Sequence, residues 1–224
     1  MSRSGRSFSS KERNKKSRKE KPMVIITAEG RNETEANYFN GFRTQECPYI
    51  IKIHKAGNLT DPTKLAESIR KKWDAEDADV RTGDMAFVVV DLDNEENKAK
   101  EIQQLAAKSR VEKFIVSNPS FEVWFLLHYE YSTRSYMNAD AVIRELKKHY
   151  PEYEKTSDMY PLLMEKTGNA ITNAEKLEVY HKAEEHLHPD VNCNPYTDVH
   201  KLVKKLLNRA VIRDRRYERR SSVG

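Results

Sequence analysis

Residues 85–94 read MAFVVVDLDN and pass from apolar to acidic in a single step. Met85, Ala86, Phe87, Val88, Val89 and Val90 form an unbroken apolar run, the pattern of a strand buried on both faces. Asp91, Leu92, Asp93 and Asn94 follow at once. Carboxylates at the end of such a strand either cap the next turn or hold something positively charged.

The neighbouring stretches share this build. MVIITAEG (23–30) is a second β-branched run that closes on an acid and a glycine. NETEANYFNGF (32–42) offers Asn32 as a cap, Glu35 three residues on, and Tyr38, Phe39 and Phe42 at helical spacing. YIIKIHK (49–55) alternates like a strand, and Asp61-Pro62 opens a helix through about Trp73 with Leu65, Ile69 and Trp73 on one face. A charged helix follows from about Glu95 to Ala107, then the short strand KFIVS (113–117). The alternation predicts an α/β fold, a mainly parallel sheet flanked by helices. From Asn118 the pattern is helical, with helices expected at 119–129, 139–149, 158–166, 169–187 and 195–209. We expect four regions: a disordered basic arm (1–21), an α/β core (22–129), a helical region packed on it (130–209) and a basic tail (210–224).

The 224 residues suit one domain with appendages. No apolar stretch approaches the roughly 20 residues that span a bilayer, and the basic N-terminus lacks the apolar segment of a signal peptide. Cys47 and Cys193 lie far apart with no C-x-x-C pair, which fits a reducing cytoplasm and argues against a cysteine-based zinc site. The net charge of +5 is unevenly spread: residues 1–21 and 201–220 each carry nine basic against two acidic side chains, so the body between them is acidic. Basic arms of this kind fit a polyanionic partner, nucleic acid above all, or serve as solubilising tails.

Ligands of an open parallel sheet bind beyond the carboxyl ends of its strands. Glu29 closes the first strand and Asp91 the third, and Asp93 joins them on the same side if the extended conformation continues. Three carboxylates at one edge repel one another and raise each other's pKa values, and a hard divalent cation, Mg²⁺ or Mn²⁺, relieves this. Alternatively Asp91 or Asp93 caps the helix near Glu95, and Glu35 merely completes a capping box with Asn32. In NPSFEVWFLLHY (118–129), Asn118 can cap and Pro119 suits the first turn of a helix that is apolar nearly all round except for Glu122. Glu122 then sits near the same edge, bound to metal, paired with a lysine or arginine, or in an open first turn. His128 reads as a structural histidine. No P-loop, G-x-G-x-x-G or G-x-S-x-G occurs, and His181, His186 and His188 do not form H-E-x-x-H but mark a helix end before Pro189.

VIITAEGRNETEANYFNGF, VVVDLDN, SNPSFEVWFLLHY and NPYTDVHKLVKKL, in this order, resemble the RloB-like family over roughly residues 22–208. This chain carries one residue more than the family's E-G-x-x-T-E, so Glu33 or Glu35 matches its second acid. The resemblance implies a Toprim-like core, a cytoplasmic role in bacterial defence against phage by abortive infection, and an ABC/AAA-type ATPase partner (RloA-like). It places the Toprim glutamate at Glu29, the D-x-D pair at Asp91 and Asp93, and a further acid at Glu122. The expected function is a Mg²⁺- or Mn²⁺-dependent endonuclease acting on RNA, tRNA included, or on DNA. Glu29, Asp91, Asp93 and Glu122 would be catalytic, and Glu29, Asp91, Asp93 and Glu35 would hold metal. The rival expectation is a non-catalytic Toprim-like subunit that binds nucleic acid or regulates the ATPase.

Overall fold

The apolar run that begins at Met85 becomes the central strand of the sheet. In a computed structural model, residues 21–30, 34–186 and 188–207 are described. The chain forms β1 (Met23–Ala28), α1 (Thr34–Asn40), β2 (Ile50–Lys55), α2 (Pro62–Ala75), β3 (Met85–Asp91), α3 (Glu96–Lys108) and β4 (Glu112–Asn118). It continues as α4 (Glu122–Leu126), α5 (Ala139–His149), α6 (Tyr160–Leu163), α7 (Thr167–Ala183), β5 (Tyr196–Thr197) and α8 (Val199–Leu207). The five strands lie in the order β2-β1-β3-β4-β5. All neighbours are parallel except β5, which runs antiparallel to β4. The basic arm, the Asn32 cap, Glu33 and the tail beyond Leu207 lie outside the described residues.

Strand parity divides the core in two. Met23 and Ile25 of β1 and Ala86, Val88 and Val90 of β3 meet Leu65, Ile69 and Trp73 of α2 and Ala99 and Ile102 of α3. Val24, Ile26, Phe87 and Val89 face the other way, onto α1, α4, α5, α7 and α8. Here Tyr38 packs edge-on against Phe39, Phe121 and Phe125 at ring-centroid distances of 5.4–5.9 Å. Such pairs contribute about 0.5–1.5 kcal/mol each beyond their area burial. Tyr136, Val142, Leu146, Leu177 and Leu202 belong to the same cluster as Phe87, so the chain after residue 129 shares the core of the sheet.

Asp61 caps α2 as expected, its side chain accepting from Lys64 N at 2.8 Å. The second half departs from the sequence reading in three places. Helix 195–209 is shorter, because Tyr196 and Thr197 pair with Asn118 and Ser117 as β5. Helix 119–129 contracts to Glu122–Leu126, because Asn118 ends β4 instead of capping and Pro119 O accepts from Asp93 N. Helix α7 stops at Ala183, four residues early, with Glu185 at φ 61.

Gly41, just after α1, lies against Tyr160, and a methyl added there would overlap the ring and Cβ of that tyrosine. Gly41→Ala should therefore destabilise the protein by about 1–3 kcal/mol through overpacking, read as a lower urea midpoint at unchanged slope.

Candidate active site at the β1–β3 edge

The strand order reverses between β1 and β3, since β2 lies on one side of β1 and β3 to β5 on the other. A crevice beyond the carboxyl ends is expected at such a switch point. Register pairs Ala28 with Val89, so Glu29 and Asp91 leave adjacent strands within two residues of each other.

Parity decides where Asp91 goes. It follows Phe87 and Val89 towards the α1 and α4 face, whereas Leu92 buries into the opposite core. There it meets Glu35 from the first turn of α1 and Glu122 from the start of α4, both buried. Burial pushes the Asp91 carboxyl well above the usual range, reinforced by Glu35, Glu29, Glu122 and Asp93. Burial also raises Glu35 to about 8, with Glu122 and Glu29 adding to it, and Glu29 to about 7 against the pull of Lys98. Asp91 Oδ1 and Glu35 Oε2 are buried without a hydrogen-bond donor. The capping alternative fails for the D-x-D pair, because the N-cap of α3 is Glu95 and no side chain caps the helix.

Asp93 does not share the direction of Asp91. Asp93 and Asn94 adopt left-handed φ values of 54° and 60°, so the extended run ends at Leu92 and Asp93 turns to solvent. Asparagine and aspartate tolerate this conformation better than other non-glycine residues. The turn is held by Leu92 N to Ser117 O at 2.8 Å and Asn94 N to Asn118 Oδ1 at 3.1 Å. Asn118 Nδ2 donates in turn to Val191 O and Cys193 O, and Asn194 Nδ2 donates to Asn94 Oδ1 at 2.8 Å. Three asparagines from three separate motifs thus form one frame behind the acids.

Three further side chains complete the edge, none singled out from sequence: Lys98, Ser120 and Tyr153. Lys98, in the first turn of α3, places Nζ 3.0 Å from Glu29 Oε2 and 3.1 Å from Asp93 Oδ2. Burial disfavours its charge, but Glu29 and Asp93 outweigh that and raise its pKa. It looked in the sequence like one more cation on a charged helix face. Glu122 receives hydrogen bonds from Ser120 Oγ at 2.6 Å and Tyr153 OH at 3.0 Å, hydroxyls where an arginine or lysine was one alternative. His128 is structural, its Nδ1 lying 2.9 Å from Trp124 O, and burial lowers its pKa to about 4.

The donor set fits a hard divalent cation: carboxylate oxygens, of which Glu29 Oε2, Glu35 Oε2 and Asp91 Oδ1 are buried without a hydrogen-bond donor among the described residues, at an edge where Lys98 contacts Glu29 and Asp93. As the side chains stand, Lys98 lies between Glu29 and Asp93, and no three His, Cys, Asp or Glu side chains among the described residues are grouped to hold an ion.

The pH dependence of stability follows. Unfolded glutamates titrate near 4.5, so from there up to about 8 the folded chain keeps protons that the unfolded chain has released. Stability of the divalent-free protein should fall as pH rises through that window. Denaturant unfolding at about pH 5 and about pH 8 checks this, and Glu35→Gln should lose less stability between the two than the wild type.

No curated protein and no solved structure matches the chain. The model of the RloB-like protein family matches residues 24–206, a span that runs from β1 into α8 and contains Glu29, Glu35, Asp91, Asp93 and Glu122. The chain belongs to the RloB-like family.

Proposed function

We propose that this protein is a divalent-metal-dependent nuclease with a Toprim-like site, the effector of a phage-defence system that works with an ATPase partner. The observation that carries the reading is the burial of Asp91 among Glu29, Glu35 and Glu122 at the switch point, with carboxylate oxygens left without donors. Structural ion pairs do not need this arrangement, whereas phosphoryl chemistry does. The defence role and the partner rest on the family resemblance.

Glu29 and Asp91 would hold Mg²⁺ or Mn²⁺, with Glu35 on the inner side and Asp93 approaching only from the solvent side. When bound, the ion offsets negative charge developing on the scissile phosphate. In the metal-free protein Glu29 and Glu35 keep their protons up to about 7 and about 8, and a bound cation would favour the carboxylate form of both. Ser120 and Tyr153 fix Glu122 in one orientation. Lys98 counters the charge of Glu29 and Asp93. The basic arms gather the polyanion. The rival reading, a binding or regulatory subunit, draws on one observation: Lys98 already supplies a cation to the edge.

Cleavage of tRNA, single-stranded RNA and DNA, with and without the ATPase, separates the two. Asp91→Ala should lower cleavage by at least about a hundredfold and weaken Mg²⁺ or Mn²⁺ binding in calorimetry, with the fold intact. A folded Asp91→Ala protein that still gives full defence would establish the regulatory reading. Deleting residues 1–21 should flatten the salt dependence of nucleic-acid binding, because fewer phosphates are neutralised.

A further inference from the structure

A second cluster lies away from the acids, where α7 ends and the chain returns to β5. His181, His186, His188 and Cys193 line one cavity of about 110 Å³, with Tyr196, Glu178, Lys182 and Lys201 also in its wall. His181 is 3% exposed and Cys193 fully buried. Three imidazoles against one cavity need either donors or a cation for their lone pairs.

The rings are already oriented. His181 Nε2 lies 2.9 Å from Pro195 O. A carbonyl only accepts, so Nε2 carries the hydrogen and Nδ1 of the neutral ring holds the lone pair. That Nδ1 is buried without a partner. His188 differs: its ring stacks on Tyr196, Nε2 stands 3.0 Å from Asp198 Oδ2 without hydrogen-bond geometry, and both ring nitrogens are buried without a hydrogen-bond partner. His186 Nδ1 is likewise unpartnered. Histidines that bind metal give their other ring N–H to a backbone carbonyl or a carboxylate, which is the arrangement of His181, and His188 has the Asp198 carboxylate within 3.0 Å of Nε2. Nitrogen donors beside a thiol favour zinc over the hard cations suited to the carboxylate edge. Four residues separate His181 from His186, and four separate His188 from Cys193, within the range of zinc-ligand spacing.

We propose that His181, His186, His188 and Cys193 form a tetrahedral Zn²⁺ site that fastens the end of α7 to the loop before β5. The donors surround the cavity without grouping on one point as they stand. His186, the first residue after the left-handed Glu185, closes the set by rotating its side chain. Zn²⁺ binding releases the Cys193 thiol proton to solvent. With four protein ligands the site is closed and structural. It would brace the loop whose Val191 and Cys193 carbonyls receive Asn118 Nδ2.

The full-length protein should bind one equivalent of Zn²⁺. With Co²⁺ in its place it should show tetrahedral visible bands and a thiolate-to-metal charge-transfer absorption. Cys193→Ser should abolish the charge-transfer absorption, and His186→Gln, at a partly exposed position, should weaken Zn²⁺ affinity roughly tenfold or more. Asp91→Asn should leave the cobalt spectrum unchanged, which separates this site from the acidic edge whatever that edge binds. Circular dichroism checks that each variant folds. An octahedral spectrum without charge transfer, or Zn²⁺ affinity unchanged in His186→Gln, overturns the proposal and leaves the cavity to water.

Discussion

The acids at the β1–β3 edge carry more negative charge than the fold neutralises, and much of the surrounding structure answers to that charge. A carboxylate taken out of water must be protonated, paired or bound to a cation. Glu122 is held by two hydroxyls, and Glu29 and Asp93 share Lys98. Asp91 and Glu35 keep oxygens that nothing donates to. The raised carboxyl pKa values of Glu29, Glu35 and Asp91 are the same fact expressed as protonation. Gathering these acids on one edge costs stability that an apolar packing of the same edge would not.

Holding such charge in place requires a rigid frame, and asparagine side chains supply it. Asn94, Asn118 and Asn194 each offer both a donor and an acceptor, so they can bridge backbone groups that secondary structure leaves unpaired. Asn118 accepts from the turn after β3 and donates to the loop before β5, while Asn194 reaches Asn94 and Tyr136. The D-x-D-N, N-P-S-F-E and N-P-Y-T stretches are therefore one structural unit, though they lie far apart in the chain.

The sheet was legible because β-branched runs ending at glycine or acid have few other readings, and its parallel order follows from the alternation with helices. Glu29, Asp91 and Glu122 could be assigned to one edge because strand ends and the first turn of α4 place them there. Asp93 went astray because parity assumes an extended chain, and two consecutive left-handed residues leave no trace in hydropathy. The Asp-Asn pair was the available signal, being the residue types that accept positive φ. β5 was hidden by its length, two residues inside a stretch that reads as the approach to an amphipathic helix. Tyr153 could not have been found, since nothing local links it to Glu122 some 31 residues earlier. The histidines at 181–188 were read against one metal motif and set aside, although their significance lies in which ring nitrogen each leaves free.

The region after residue 129 is more than an appendage to the sheet. Tyr153 OH fixes Glu122, and Lys155 O accepts from Thr34 Oγ1, next to Glu35. Tyr136 and Leu177 sit in the same core as Phe87, the neighbour of Asp91 on its face of β3. Without these segments Asp91 and Glu35 would open to water and titrate as ordinary carboxyls. The sheet supplies the positions of the acids, and the second half supplies the low-dielectric surroundings that raise the pKa values of Glu29, Glu35 and Asp91. The chemistry proposed for this edge is thus a property of both halves, and changes in the packing of residues 130–207 should be felt as changes in how Glu29, Glu35 and Asp91 titrate.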